Sequence, residues 1–198
     1  MFRTKPIFLI ALLGTHLMST AHAGPMCKFR QEPTSAVVFT VNGQPIRQSF
    51  IAVIAGFYRN GNSEGIAIEK ELFKQAAIAE HLDQGADFKQ KQSEALTQLQ
   101  EVMGSKYSDF SCTALNELAS VHALLSLYVA KHLSEQAKPS SESVESFYRT
   151  YQEQYKGTDE QEAKKRIQTH LWEQAMGKLY QEELMRLHKQ AQVRRVSN

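Results

Sequence analysis

Five histidines, His81, His122, His132, His170 and His188, lie far apart in the chain beyond residue 24. No two stand three or four residues apart, the spacing at which one helix aims two imidazoles at one metal ion. A metal site would therefore have to be assembled from several elements. The chain contains no Gly-x-Ser-x-Gly, no His-Glu-x-x-His, no glycine-rich phosphate loop and no EF-hand spacing. Its carboxylates alternate with lysines and arginines, the pattern of solvated helix faces rather than of an acid–base pair. Cys27 and Cys112 are the two cysteines. In an oxidising compartment such a pair invites a disulfide; the alternative is a buried Cys112 with a free Cys27 in a loose arm. Trp172, the single tryptophan, reads as a packing residue before a ligand-stacking one. No cofactor is called for by any of these residues.

Aromatic and apolar helix surface is the chemistry that remains. One set is Phe50, Ile54, Phe57 and Tyr58; the other is Tyr148, Tyr151 and Tyr155. Core packing accounts for either set. So does a groove for extended or unfolded polypeptide, for which tyrosine offers a large apolar contact, a polar tip and little entropy to lose.

The elements that must position these residues are mainly helices. From Ala36 the chain is rich in β-branched and aromatic residues and runs as one short strand into Asn42-Gly43, a tight-turn signal, with a brief second strand around Pro45-Ile46. A helix from Gln48 to about Tyr58 is apolar on more than one face, so it is either deeply buried or partly a binding surface. Helices follow over about 66–82, stopped at Gly85, over about 87–103, where Gln92 interrupts the apolar stripe, and from near Thr113 to before Pro139. Ser140 reads as the N-cap of a short helix with the stripe Val144, Phe147, Tyr148, Tyr151 and Tyr155. Thr158 then opens a last helix, with Gln161 as its capping-box partner. Along it Glu160–Lys164, Glu162–Arg166 and Glu182–Arg186 stand at i,i+4 in the favourable order. Val193 to Val196 reads as a closing strand.

The N-terminal residues carry an address. Arg3 and Lys5 precede the apolar run 7–13, and Ala21-His22-Ala23 offers an A-x-A cleavage site, the pattern of a secretory signal peptide over 1–23. The apolar run is too short to span a bilayer, which takes about 20 residues, and no integral membrane segment is expected elsewhere. Gly24-Pro25-Met26 before Cys27 makes a poor lipobox. The mature chain, 24–198, fits one domain, or two small lobes around one core. The whole chain has 23 Lys+Arg against 21 Asp+Glu. Loss of Arg3 and Lys5 leaves it formally neutral, without the basic excess of a nucleic-acid binder.

Val41-Asn42-Gly43-Gln44-Pro45-Ile46, followed by Ser49-Phe50 at a helix start, resembles the opening of the SurA-type periplasmic chaperones and PrsA-type foldases. Leu72-Phe73, Ala77-Ile78, Leu82 and Gly85 resemble the second helix of that family. Pro139 to Tyr148, with Val144, Phe147 and Tyr148, resembles the short helix that normally leads into a parvulin isomerase domain. Here the chain passes within a few residues of Tyr151 to the last helix, whose Leu187, Ala191 and Val193 resemble the family's C-terminal ending. The resemblance implies a helical chaperone core (N-terminal helices 36–137, short helix 140–155, C-terminal helix 158–192). Its last strand would join the N-terminal hairpin, and the isomerase domain and its activity would be missing. It further implies a periplasmic, ATP-independent protein that holds unfolded outer-membrane or secreted polypeptides. The alternative is a dedicated accessory subunit of an exopolysaccharide or pilus export system, binding one specific partner. A homodimer is compatible with either.

Overall fold

The computed structural model describes residues 35–59 and 61–196. The signal segment, its cleavage point near Ala23, and Cys27 with its pairing to Cys112 lie outside the described residues.

Strands β1 (Val37–Val41) and β2 (Gln44–Arg47) form a hairpin, and β3 (Val193–Arg195) pairs with the other side of β1, giving the antiparallel order β2-β1-β3. Asn42 and Gly43 take φ of 51° and 82°, both in the left-handed region that a two-residue hairpin turn requires. Pro45 is tolerated because β2 is an edge strand and its missing N–H interrupts no ladder. The turn also anchors the far end of the chain: the Gln192 N–H donates to Asn42 Oδ1 at 2.8 Å, and the Asn42 N–H donates to the Gln192 carbonyl at 2.9 Å.

Six helices follow the hairpin: α1 (Gln48–Tyr58), α2 (Ser63–Ala79), α3 (Ala86–Met103), α4 (Cys112–His132), α5 (Ser141–Thr150) and α6 (Glu160–Gln190). Short 3-10 turns lie at Gly104–Asp109 and Gln152–Tyr155. The described residues are mainly helical, with a small sheet that joins the hairpin to the strand after α6. No helix among the described residues is long and apolar enough to cross a membrane.

Several boundaries differ from the sequence reading for local reasons. Helix α2 stops at Ala79, before Gly85, because His81 adopts the left-handed conformation at φ 59°. The Leu82 N–H then reaches the Ala77 carbonyl and the His81 N–H the Ile78 carbonyl, a Schellman closure with histidine where glycine is usual. Gly85 instead precedes α3 as its N-cap. The cap of α6 is Asp159, whose carboxylate accepts from the Gln161 and Glu162 N–H groups, one residue later than Thr158. Ser140 caps α5 as its sequence suggests, accepting from the Ser143 N–H at 3.1 Å. Glu160–Lys164 and Glu162–Arg166 form, but Arg186 turns to Glu183 at 2.6 Å and leaves Glu182 to Lys178. Gln92, the interruption in the α3 stripe, donates to Ser120 Oγ of α4 at 2.7 Å.

The core lies between the hairpin and α1, α2, α3 and α4, closed by the C-terminal half of α6. Val41, Ile46, Phe50, Ile54, Phe73, Leu99, Leu118 and Met176 are fully buried in it. Helix α6, about 46 Å long at 1.5 Å per residue, reaches well beyond this core. Its N-terminal half packs with α5 as a helical hairpin, where Ala163 and Ile167 are fully buried without belonging to the main core.

Candidate peptide-binding site

The α1 set of aromatic and apolar residues divides by depth. Phe50 and Ile54 have no exposed surface and belong to the core, so neither can meet a client in this conformation. Phe57 and Tyr58, at the end of α1, are half-buried and packed edge to face with ring centroids 4.9 Å apart. They open onto a buried polar cluster drawn from four helices. Tyr58 Oη lies 3.0 Å from His122 Nε2 of α4, and the Phe57 ring lies edge-on to the same imidazole at 5.3 Å. Lys70 of α2 is buried, with its Nζ 5.7 Å from the Tyr58 ring centroid and 3.3 Å from Glu69. Tyr180 of α6 donates to Glu69 Oε1 at 2.5 Å while stacking on Phe73 at 4.8 Å.

Burial governs the protonation of this cluster. Desolvation, with the Lys70 charge added, pushes the His122 imidazole down to about 3. It also lowers Lys70, against the opposing pull of Glu69. Burial and the Glu69 carboxylate hold both Tyr58 and Tyr180 well above the ordinary phenol range. These groups are in their neutral forms or paired, which suits a polar tie between helices. Neither of the two clefts described below reaches them.

The second set lies on the α5–α6 hairpin. No residue of α5 is fully buried: Val144, Phe147 and Tyr148 are half-buried, and Tyr151 is 40 % exposed. Phe147 and Tyr151 pair at 4.5 Å, with His170 of α6 edge-on to Phe147 at 5.8 Å. Tyr148 and Tyr155 approach to 6.2 Å, and Lys164 Nζ sits 5.3 Å from the Tyr148 ring centroid. Lys164 also bridges Glu145 and Glu160, and its hydrogen bond, with that of Arg149 added, holds the Glu145 carboxyl below its usual range. The helix ends at Thr150, so Tyr155 reaches its place through the 3-10 turn rather than through a continuous stripe.

Two open clefts flank α5. One is lined by Glu142, Ser143, Ser146, Phe147, Thr150 and Tyr151. The other includes Pro139, Val144 and Glu145, with Gln161, Lys165 and Gln168 of α6. The structure thus brings Tyr151 to a cleft and places Tyr148 and Tyr155 beside each other. It does not join the α5 tyrosines to Phe57 and Tyr58, since no ring contact links the two sets among the described residues. Phe147 is the aromatic wall that the tyrosine set leaves out, although the i+3 stripe contains it. The partnership of Tyr58, His122, Lys70 and Tyr180 spans four elements and carries no local signal in sequence. Among the described residues no group of three His, Cys, Asp or Glu side chains converges as a metal site would require.

Comparison with protein-family models, with curated proteins and with solved structures gives no match to this chain.

Proposed function

We propose that the protein is an ATP-independent, periplasmic holding chaperone that binds unfolded outer-membrane or secreted polypeptides on the aromatic surface of its α5–α6 hairpin. The observation that carries this reading is an amphipathic helix, α5, with no fully buried residue. Its rings are half covered, chiefly by α6 and the following turn, and none of its residues belongs to the main core. A helix that packs an aromatic stripe this incompletely leaves apolar surface for a transient partner. The sheet supports the same reading: β3 returns from the end of α6 to β1, which is the arrangement implied by the resemblance to SurA-type chaperone cores. Holding works by covering client apolar side chains long enough to keep strand edges from pairing. It needs no nucleotide, and its affinity is modest because the client is ordered on binding.

The test is suppression of aggregation. The mature chain is titrated into a refolding outer-membrane β-barrel and into an unrelated unfolded soluble protein, with light scattering as readout. Suppression of the barrel, with or without the soluble protein, at near-stoichiometric ratio is the expected result. No effect on either would reject the chaperone reading in favour of a dedicated subunit with one envelope partner.

A further inference from the structure

The Phe147–Tyr151 flank of α5 has a chemical character that the opposite flank lacks. Its only formal charge is the carboxylate of Glu142. Most neighbouring glutamates of the hairpin are matched: Glu145 with Arg149 and Lys164, Glu160 with Lys164, Glu162 with Arg166, and Glu153 with Lys156. Glu142 makes no ion pair among the described residues. Beside it lie the Ser146 hydroxyl, which bonds no other side chain, and the Phe147–Tyr151 ring pair. The opposite flank carries Lys165 and has no aromatic ring in its lining.

From this placement, and resting on the holding function proposed above, we infer that this flank selects extended client segments in which a lysine or arginine stands two residues from an aromatic side chain. Spacing and charge support the choice. Glu142 and Phe147 are five residues apart, about 7.5 Å along the helix axis. Alternate residues of an extended chain lie about 6.7 Å apart on one face. A client lying along α5 can therefore set one side chain on the rings and the next on the same face beside the carboxylate. The long stem of lysine or arginine covers the offset around the helix. The hydroxyls of Ser143, Ser146 and Thr150 line the cleft between, where they can donate to or accept from the client backbone without reading its sequence. An acidic client meets like charge at Glu142 and is disfavoured.

The experiment measures fluorescence anisotropy of three labelled peptides that differ only in carrying Lys-x-Phe, Gln-x-Phe or Glu-x-Phe repeats. The native protein is expected to bind the lysine peptide about three-fold tighter than the glutamine peptide, the size of one exposed charge pair, and the glutamate peptide weakest. Glu142→Gln should erase that ranking and Glu142→Lys reverse it, with helicity unchanged by circular dichroism. Equal binding of the three peptides, or a ranking that survives in Glu142→Gln, overturns the inference and leaves the holding function standing. Absence of peptide binding also overturns it, and the aggregation assay run in parallel then shows whether the holding function fails with it.

Discussion

Tyr180 and Tyr151 both project from helical surfaces, and the molecule treats them in opposite ways. Tyr180, in the half of α6 that closes the core, is 8 % exposed, stacks on Phe73 and donates a hydrogen bond from its hydroxyl to Glu69. Tyr151, at the end of α5, is 40 % exposed and rests on one ring, Phe147. The first arrangement satisfies every part of the side chain and ties α2 to α6. The second leaves the residue 40 % exposed. An aromatic residue buried with its polar tip paired contributes to stability, whereas one left half-covered contributes little and remains available to a partner. The C-terminal half of α6, which carries Tyr180, faces α2 and the core, whereas Tyr151 ends α5, which packs chiefly against α6.

The contrast is broken most forcefully in α1. Phe50 is fully buried beside Ile54, so Phe50→Ala should cost about 3–5 kcal/mol of unfolding free energy, read from urea denaturation followed by circular dichroism. A loss below about 1 kcal/mol, comparable to a surface change, together with weakened client binding, would place α1 among the binding surfaces and remove the distinction drawn here.

A smaller effect separates the polar cluster from the hairpin by pH. His122 faces Tyr58 and Phe57 from α1 and the Lys70 charge from α2, and its folded pKa is near 3 against 6.5 for a free imidazole. The unfolded chain therefore takes up this proton first as pH falls. The stability that the neutral imidazole contributes is complete above pH 6.5 and lost progressively below it. One such group changes the unfolding free energy by at most about 1.4 kcal/mol per pH unit. Because the ring keeps some solvent contact, a fall of about 1–2 kcal/mol between pH 6.5 and 4.5 is expected. Glu80, Glu94, Glu145 and Glu183, all lowered by their cationic partners, lose their contribution only at lower pH. Thermal melts across this window should be flatter in His122→Phe than in the native protein. Equal slopes would show that His122 is not the titrating group.

Sequence made the two regions legible to different degrees. The hairpin turn at Asn42-Gly43, the six helices, the Ser140 cap and the closing strand are local patterns, and all are present, with several helix ends shifted by a few residues. Apolar periodicity also marks α1 and α5 as amphipathic, but it cannot say how many neighbours each acquires. Helix α1, apolar on several faces, packs against the hairpin and three other helices; α5, with a cleaner stripe, packs chiefly against α6. Tertiary surroundings therefore reverse the ranking that apolar content suggests: Phe50 and Ile54 are inaccessible while Tyr151 is open. The tie of Tyr58 to His122 joins residues 64 apart, and that of Tyr180 to Glu69 residues 111 apart; such contacts are set by helix packing, which no short window of sequence contains. The stop of α2 is hidden for a different reason. The left-handed position is filled by His81 rather than glycine, and glycine is the residue that a sequence pattern looks for.

The smallest stability effect should be the most informative about function. Tyr151→Ser removes an exposed ring that touches Phe147 and lines the cleft beside α5. It lies at the C-cap of α5, where the Tyr151 N–H, rather than its side chain, bonds to the Phe147 carbonyl, so the helix end survives the change. The expected loss of unfolding free energy is below about 1 kcal/mol, the range of substitutions outside a packed core. Suppression of client aggregation should nevertheless require several-fold more protein, because a half-covered aromatic ring supplies contact area that serine cannot replace. The paired measurement is a urea melt and a light-scattering titration on the same preparation. If the melt shifts as far as it does for Phe50→Ala, the ring is core and the hairpin is no different from α1. A small shift with undiminished suppression would mean that clients bind elsewhere on the protein. Only a small shift with weakened suppression keeps the two tyrosine environments functionally distinct.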